Sequence, residues 1–259
     1  PPLHTRAVRR PATVLIAILA TAGAARADDR DFWADLVDPH GDEIRLIADQ
    51  ANQLQGQATN FALYEGDPSG TQRVRLLDDA YGMLRYARRL APHNATVLLA
   101  LGRVADDGGR VREAVEALEA YLRETDAVMP DANLRLGKLY LRDRQPQLAL
   151  KELRRAFPLR AKFPDIDLDI ARARLALGEY REALAALTVY AGPRTGEVDA
   201  IEASARAALG DIAEAREVLG KATTREPDTA SLHLATARLA LSEQDLAGAQ
   251  AAVDQALAL

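Results

Sequence analysis

The sequence predicts an all-α fold made of stacked, similar helix pairs. Three observations carry that expectation: a composition rich in alanine and leucine, an apolar stripe recurring about every 34 residues, and glycines and prolines placed where such helices would turn and end. Hydrophobic residues make up 48% of the 259 and charged residues 27%, enough to bury a core beneath a solvated surface. Aromatics reach only 5%, which disfavours a sheet, because strands draw on aromatic and β-branched side chains. The net charge is −5 and the basic residues are nearly all arginine, with lysine only at Lys138, Lys151, Lys162 and Lys221. An acidic balance argues against nucleic acid as the main partner. Cysteine is absent, which excludes a disulfide framework, a thiolate metal site, a cysteine nucleophile and a lipidated cysteine in this sequence.

The first 27 residues read as a signal peptide. Arg6, Arg9 and Arg10 form a basic start, Ala12–Ala20 an apolar run too short to span a bilayer, and Ala25-Arg26-Ala27 a small-x-small cleavage pattern. Cleavage there would remove four arginines, taking the net charge from −5 to −9 and leaving an exported chain, periplasmic or secreted. Pro11 after Arg9-Arg10 speaks against the twin-arginine route. Residues 28–72 read as an N-terminal helical cap and loop. Phe32, Trp33, Leu36 and Val37 make a short apolar patch. Ile44, Ile47, Ala51, Leu54, Ala58 and Phe61, spaced by threes and fours, mark a helix with one narrow apolar stripe, and Glu65–Thr71 reads as a loop. That stripe is expected to lie on the first repeat, with a dimer seam or a segment that joins a partner as the alternative.

The repeat array is expected over residues 73–259. Six alanines stand in matching contexts, Ala80, Ala114, Ala149, Ala183, Ala215 and Ala249, at intervals of 34, 35, 34, 32 and 34. Four residues after each comes Leu84, Leu118, Leu153, Leu187, Leu219 or Val253, and three further on Ala87, Tyr121, Ala156, Tyr190, Ala222 or Ala256. Steps of four and three keep those side chains on one helical face. Another helix precedes each stripe. It carries Leu101-Gly102 and Leu136-Gly137 within it, while Gly108-Gly109, Leu177-Gly178 and Leu209-Gly210 mark turns before the alanines. Pro92, Pro130, Pro164 and Pro227 separate one pair from the next, and Asp131, Asp165, Glu197 and Asp228 open several following helices, as the helix dipole favours.

This pattern resembles the tetratricopeptide repeat, whose first helix carries Leu-Gly, whose turn carries glycine, and whose second helix opens on alanine. Asn94–Asp126 and Pro130–Ala161 carry the resemblance most fully, and the fifth unit, from Ala230, keeps only the alanine pattern. The RNA-binding pentatricopeptide class has a similar period, but the acidic composition and the Leu-Gly and alanine positions count against it. The resemblance implies a right-handed α-solenoid of about five helix pairs behind the cap, each supplying its neighbour's core.

Catalytic and metal motifs are missing from the sequence. Its four histidines are scattered, and it contains no nucleophile elbow and no phosphate-binding glycine loop. Asp165, Asp167 and Asp169 alternate like a calcium loop, but Ile170 stands where the glycine would be. No cofactor, metal or catalytic residue is therefore expected. The resemblance implies that first helices line a concave groove. Alignment on the alanines puts Arg103, Lys138, Arg172, Ser204 and Arg238 at one equivalent position there. Leu99, Leu134, Leu168, Ala200 and Leu234 stand four residues earlier, with Arg135 and Arg142 adding charge. An apolar row beside a basic row would suit a protein segment carrying acidic and apolar side chains. Pairing of these cations with Asp106 and Asp169 is the competing expectation. A tail-binding carboxylate clamp is not expected, because leucine occupies one of its lysine positions and no asparagine lines the matching face.

The expected function is a non-catalytic protein–protein scaffold or adaptor of a bacterial cell envelope. The alternative is the repeat region of a longer enzyme, such as a glycosyltransferase or protease, with catalysis beyond Leu259; a purely self-assembling structural protein is a third.

Overall fold

The computed structural model describes residues 40–63 and 70–259. The signal peptide, the patch around Trp33 and residues 65–69 of the loop lie outside the described residues, as does the Phe61 side chain. Among the described residues there are twelve α-helices and no strand. They run as α1 (Gly41–Leu63), α2 (Thr71–Leu90), α3 (Ala95–Asp107), α4 (Val111–Thr125), α5 (Pro130–Arg142), α6 (Pro146–Ala156), α7 (Asp165–Ala176), α8 (Tyr180–Val189), α9 (Gly196–Leu209), α10 (Ile212–Arg225), α11 (Ala230–Ser242) and α12 (Leu246–Ala258), with a 3₁₀ turn at Phe157–Leu159. Each odd-numbered helix packs on the even-numbered one after it, and each even-numbered helix from α2 to α10 then meets the next pair. The result is a helical solenoid of six pairs.

The repeated alanine explains how each pair closes. Ala80, Ala114, Ala149, Ala183 and Ala215 are wholly buried, and Ala249 nearly so. The N–H groups of Ala114, Ala149, Ala183, Ala215 and Ala249 also close the first turn of their helices, bonding the carbonyls of Arg110, Gln145, Glu179, Asp211 and Asp245 at 2.9–3.0 Å. A larger side chain at that point would hold the paired helix away. The first helix makes the same demand from its side: a Cβ on Gly102 would lie 2.6 Å from Leu118 Cγ, and one on Gly137 2.8 Å from Leu153 Cγ. Leu-Gly thus supplies a core leucine beside a position where only hydrogen fits.

The turns inside the five pairs from α3–α4 to α11–α12 share one geometry. Gly109, Arg144, Gly178, Gly210 and Gln244 all have positive φ, between 56° and 92°. In each turn the next residue's N–H reaches back five residues: Arg110 to Ala105 O, Gln145 to Tyr140 O, Glu179 to Arg174 O, Asp211 to Arg206 O and Asp245 to Ala240 O, at 2.8–2.9 Å. This is a Schellman closure, and glycine is its least strained occupant.

The helix expected as a cap pairs with α2 as the later helices pair. Its stripe residues Ile44, Ala51 and Ala58 share a buried cluster with Leu77, Ala80 and Leu84 of α2 and with Val97 and Leu101 of α3, while Ile47 and Leu54 pack at its edge. Most of the stripe is therefore consumed inside the chain.

Candidate groove on the first helices

The repeat brings equivalent faces of α1, α3, α5 and α7 around a cavity of about 840 Å3. Because Leu99 and Arg103, and Leu134 and Lys138, are four residues apart, each pair projects from one side of its helix. Those four and Arg172 line the cavity. Leu118, Leu141 and Phe163 add apolar wall, and Gln55 reaches in from α1. The other three expected residues lie elsewhere. Leu168 is buried in a cluster with Ala171, Val198 and Ile201, between α7 and α9. Leu234 is exposed, and the Arg238 guanidinium donates to Ser204 Oγ at 3.3 Å.

The reason the groove stops is side-chain size. α9 offers Ala200 and Ser204 where α3 and α5 offer leucine and a basic residue, and Ala207 where they offer Asp106 and Leu141. With Ala235 opposite, α9 and α11 pack closely, sharing a buried cluster with Leu232 and Leu239, whereas α3 and α5 scarcely touch. Small residues close the first-helix face between α9 and α11; bulky ones hold it open from α3 to α7.

The cations of the groove differ in how far they are engaged. Arg172 grips Glu197 through Nε at 2.6 Å and Nη2 at 2.5 Å, and also donates to Asp169. Burial opposes its charge, but Glu197 and Asp169 outweigh that and raise its pKa above the ordinary arginine value. Arg135 spans Asp106 at 2.6 Å and Asp107 at 3.0 Å, and Arg142 pairs with Asp106 as well. Gln55 holds Asp107 from the other side, its Nε2 donating at 2.5 Å. Lys138 is half exposed, with Nζ 3.6 Å from Asp169 Oδ2, a distance that gives charge attraction without a hydrogen bond. Arg103 is exposed and has no ion pair among the described residues. The expected pairing with Asp106 and Asp169 is met for Arg135, Arg142 and Arg172 and loosely for Lys138, while Arg103 stays unpaired among the described residues.

Asp169 anchors this arrangement. It is 2% exposed, Oδ1 accepts from Arg172, and Oδ2 has no hydrogen-bond donor. Burial raises its pKa above the usual carboxylate value, outweighing Lys138 and Arg172, which pull the other way. Its neighbour Asp167 is also buried and turned to Arg160 at 3.8 Å, so the alternating aspartates diverge instead of converging. No cluster of metal-ligating side chains occurs among the described residues.

The groove wall that alignment alone did not indicate is Gln55, Leu118 and Phe163. Phe163 stands just before Pro164 in the linker ahead of α7, and an aromatic beside a helix-opening proline was the one signal for it.

The family model for the tetratricopeptide repeat matches residues 73–127, 99–165 and 202–259. No curated protein matches the chain. Among solved structures, it is similar to YrrB, described as a TPR protein with an unusual peptide-binding site, at 24% identity and a TM-score of 0.54, covering 61% of this chain and 82% of that one. A tetratricopeptide repeat protein of Parabacteroides merdae aligns at 17% identity and 0.53, covering 81% and 93%. PilW, described as a type IV pilus biogenesis factor, aligns at 17% and 0.56, covering 80% and 92%. At these identities the likeness establishes the fold.

Proposed function

Because the chain belongs to the tetratricopeptide repeat family, whose members generally serve as protein-interaction scaffolds, we propose that it is a non-catalytic adaptor of the bacterial cell envelope. It holds an extended or helical partner segment in the groove of α1, α3, α5 and α7. The observation that carries this reading is a cavity of about 840 Å3 whose wall mixes Leu99, Leu141 and Phe163 with charged side chains, among them the unpaired Arg103 and Lys138, which Asp169 holds only loosely. A partner carboxylate would meet those cations while its apolar side chains cover Leu99, Leu141 and Phe163. Burial of the apolar contacts supplies most of the affinity. Exposed ion pairs add about 0.2–1 kcal/mol each, together with orientation and salt sensitivity.

Reversing Arg103 and Lys138 to glutamate is expected to abolish capture of partner from envelope extract with helix content unchanged. Reversing Arg112 and Arg181, exposed on the second helices, is expected to leave capture intact. Loss in the second variant and retention in the first would move the binding surface to the outer face. The envelope assignment rests on the basic, apolar and small-residue order of residues 1–27. N-terminal sequencing of exported chain should begin at Asp28, and a chain still carrying Arg9-Arg10 would contradict it.

A further inference from the structure

We propose that the outward face of α6, with the turn after it, docks on an anionic phospholipid bilayer. Residues 151–162 read KELRRAFPLRAK, five cations and one carboxylate within a chain of net charge −5. Spacings of three and four set Lys151, Arg154 and Arg155 on one face of α6, and all three are exposed. The carboxylate, Glu152, is turned inward at 5% exposure and accepts from Asn133 Nδ2 at 2.7 Å. Lys151 and Arg155 touch it at 3.7 and 3.2 Å, yet their side chains stay 59% and 45% exposed. Arg154 has no ion pair among the described residues. Where the chain leaves α6, Phe157 stands 42% exposed, with the Arg160 guanidinium 4.8 Å from its ring centre.

The repeat does not require these cations. Counted from the repeat alanine, the same three positions carry Gly82, Arg85 and Tyr86 in α2, Glu116, Glu119 and Ala120 in α4, and Ala185, Thr188 and Val189 in α8. Cations alone would suit any polyanion. The exposed phenyl ring among them points to a bilayer, where a ring sinks to headgroup depth while guanidinium groups stay level with the phosphates. A nucleic acid needs a longer basic track to neutralise successive phosphates. Here the preceding second helix is acidic at the matching positions, and residues 163–259 carry nine basic against sixteen acidic residues. This surface is separate from the groove, so an adaptor could sit on a membrane and hold its partner at once.

The test is sedimentation of the exported chain, beginning at Asp28, with vesicles. Binding is expected to vesicles containing phosphatidylglycerol, to weaken as salt rises, and to be absent with pure phosphatidylcholine. Each cation near an anionic surface is worth roughly fivefold in affinity, so Lys151→Glu, Arg154→Glu and Arg155→Glu together should weaken binding by roughly a hundredfold or more. Phe157→Ser should weaken it at constant charge. Helix content is read on every variant, and a triple reversal that loses helix is replaced by the three glutamine substitutions. The proposal is overturned if the parent does not bind the anionic vesicles, or if the folded triple variant binds as the parent does. It is equally overturned if Phe157→Ser has no effect, or if the parent binds single-stranded DNA in preference to vesicles, which would make the patch a general polyanion site.

Discussion

Asp169 shows what one buried carboxylate does to the groove around it. Its charge holds Arg172 and draws Lys138 toward α7, so two of the cations expected to face a partner are partly spent on it. Its pKa is raised by burial, so the native state binds a proton at a higher pH than the unfolded chain does. Between the ordinary value of 3.8 and the raised native one, stability from this group therefore falls as pH rises. Glu202 opposes this: despite desolvation, hydrogen bonds and charge from Arg194 and Arg206 hold it below its ordinary value, so its contribution is lost as pH falls. Asp169→Asn is expected to remove the first trend and to release Lys138 toward solvent, while Arg172 stays held by Glu197. Denaturation midpoints across the acid range should then diverge from the parent's, and capture of an acidic partner should strengthen. Parallel midpoints and unchanged capture would show that Asp169 does not control the groove.

At the level of the element, the turn between paired helices decides which residues the repeat tolerates. Five turns adopt the left-handed conformation, three with glycine, the others with Arg144 and Gln244. An L side chain there costs about 1–2 kcal/mol, offset in part by the unfolded-state freedom that glycine would add. Arg144→Gly and Gln244→Gly should each raise stability by about 0.5–1 kcal/mol, and Gly178→Ala should lower it by about 1 kcal/mol. Denaturant midpoints check the sign of each. The turn glycines were legible in the sequence because glycine marks the position. Arg144 and Gln244 were not, because backbone geometry without its usual residue leaves no mark. The same limit applied to α1, whose narrow apolar stripe and seat on the first repeat were plain while its standing as the first helix of a pair was not: the Leu-Gly that identifies other first helices is absent from it.

For the molecule as a whole, the period of about 34 residues made the stacked architecture readable, since each repeat buries its stripe only against a neighbour. The groove was readable in part. Leu99, Arg103, Leu134, Lys138 and Arg172 share it because equivalent positions fall on equivalent faces. Leu168, Leu234 and Arg238 do not, because a strictly repeating alignment is blind to how closely successive helices approach. Alanines on α9 bring α11 against it, and that packing ends the groove before the last pairs. The central claim, that a protein segment lies along α3, α5 and α7, is tested most directly by photo-cross-linking in cells. A photoreactive side chain replaces Leu99 or Arg103 in the groove, or Arg112 or Arg181 on the second helices. A discrete adduct with one partner is expected from the two groove positions and none from the other two. Adducts confined to Arg112 or Arg181, with the groove positions silent, would contradict that claim.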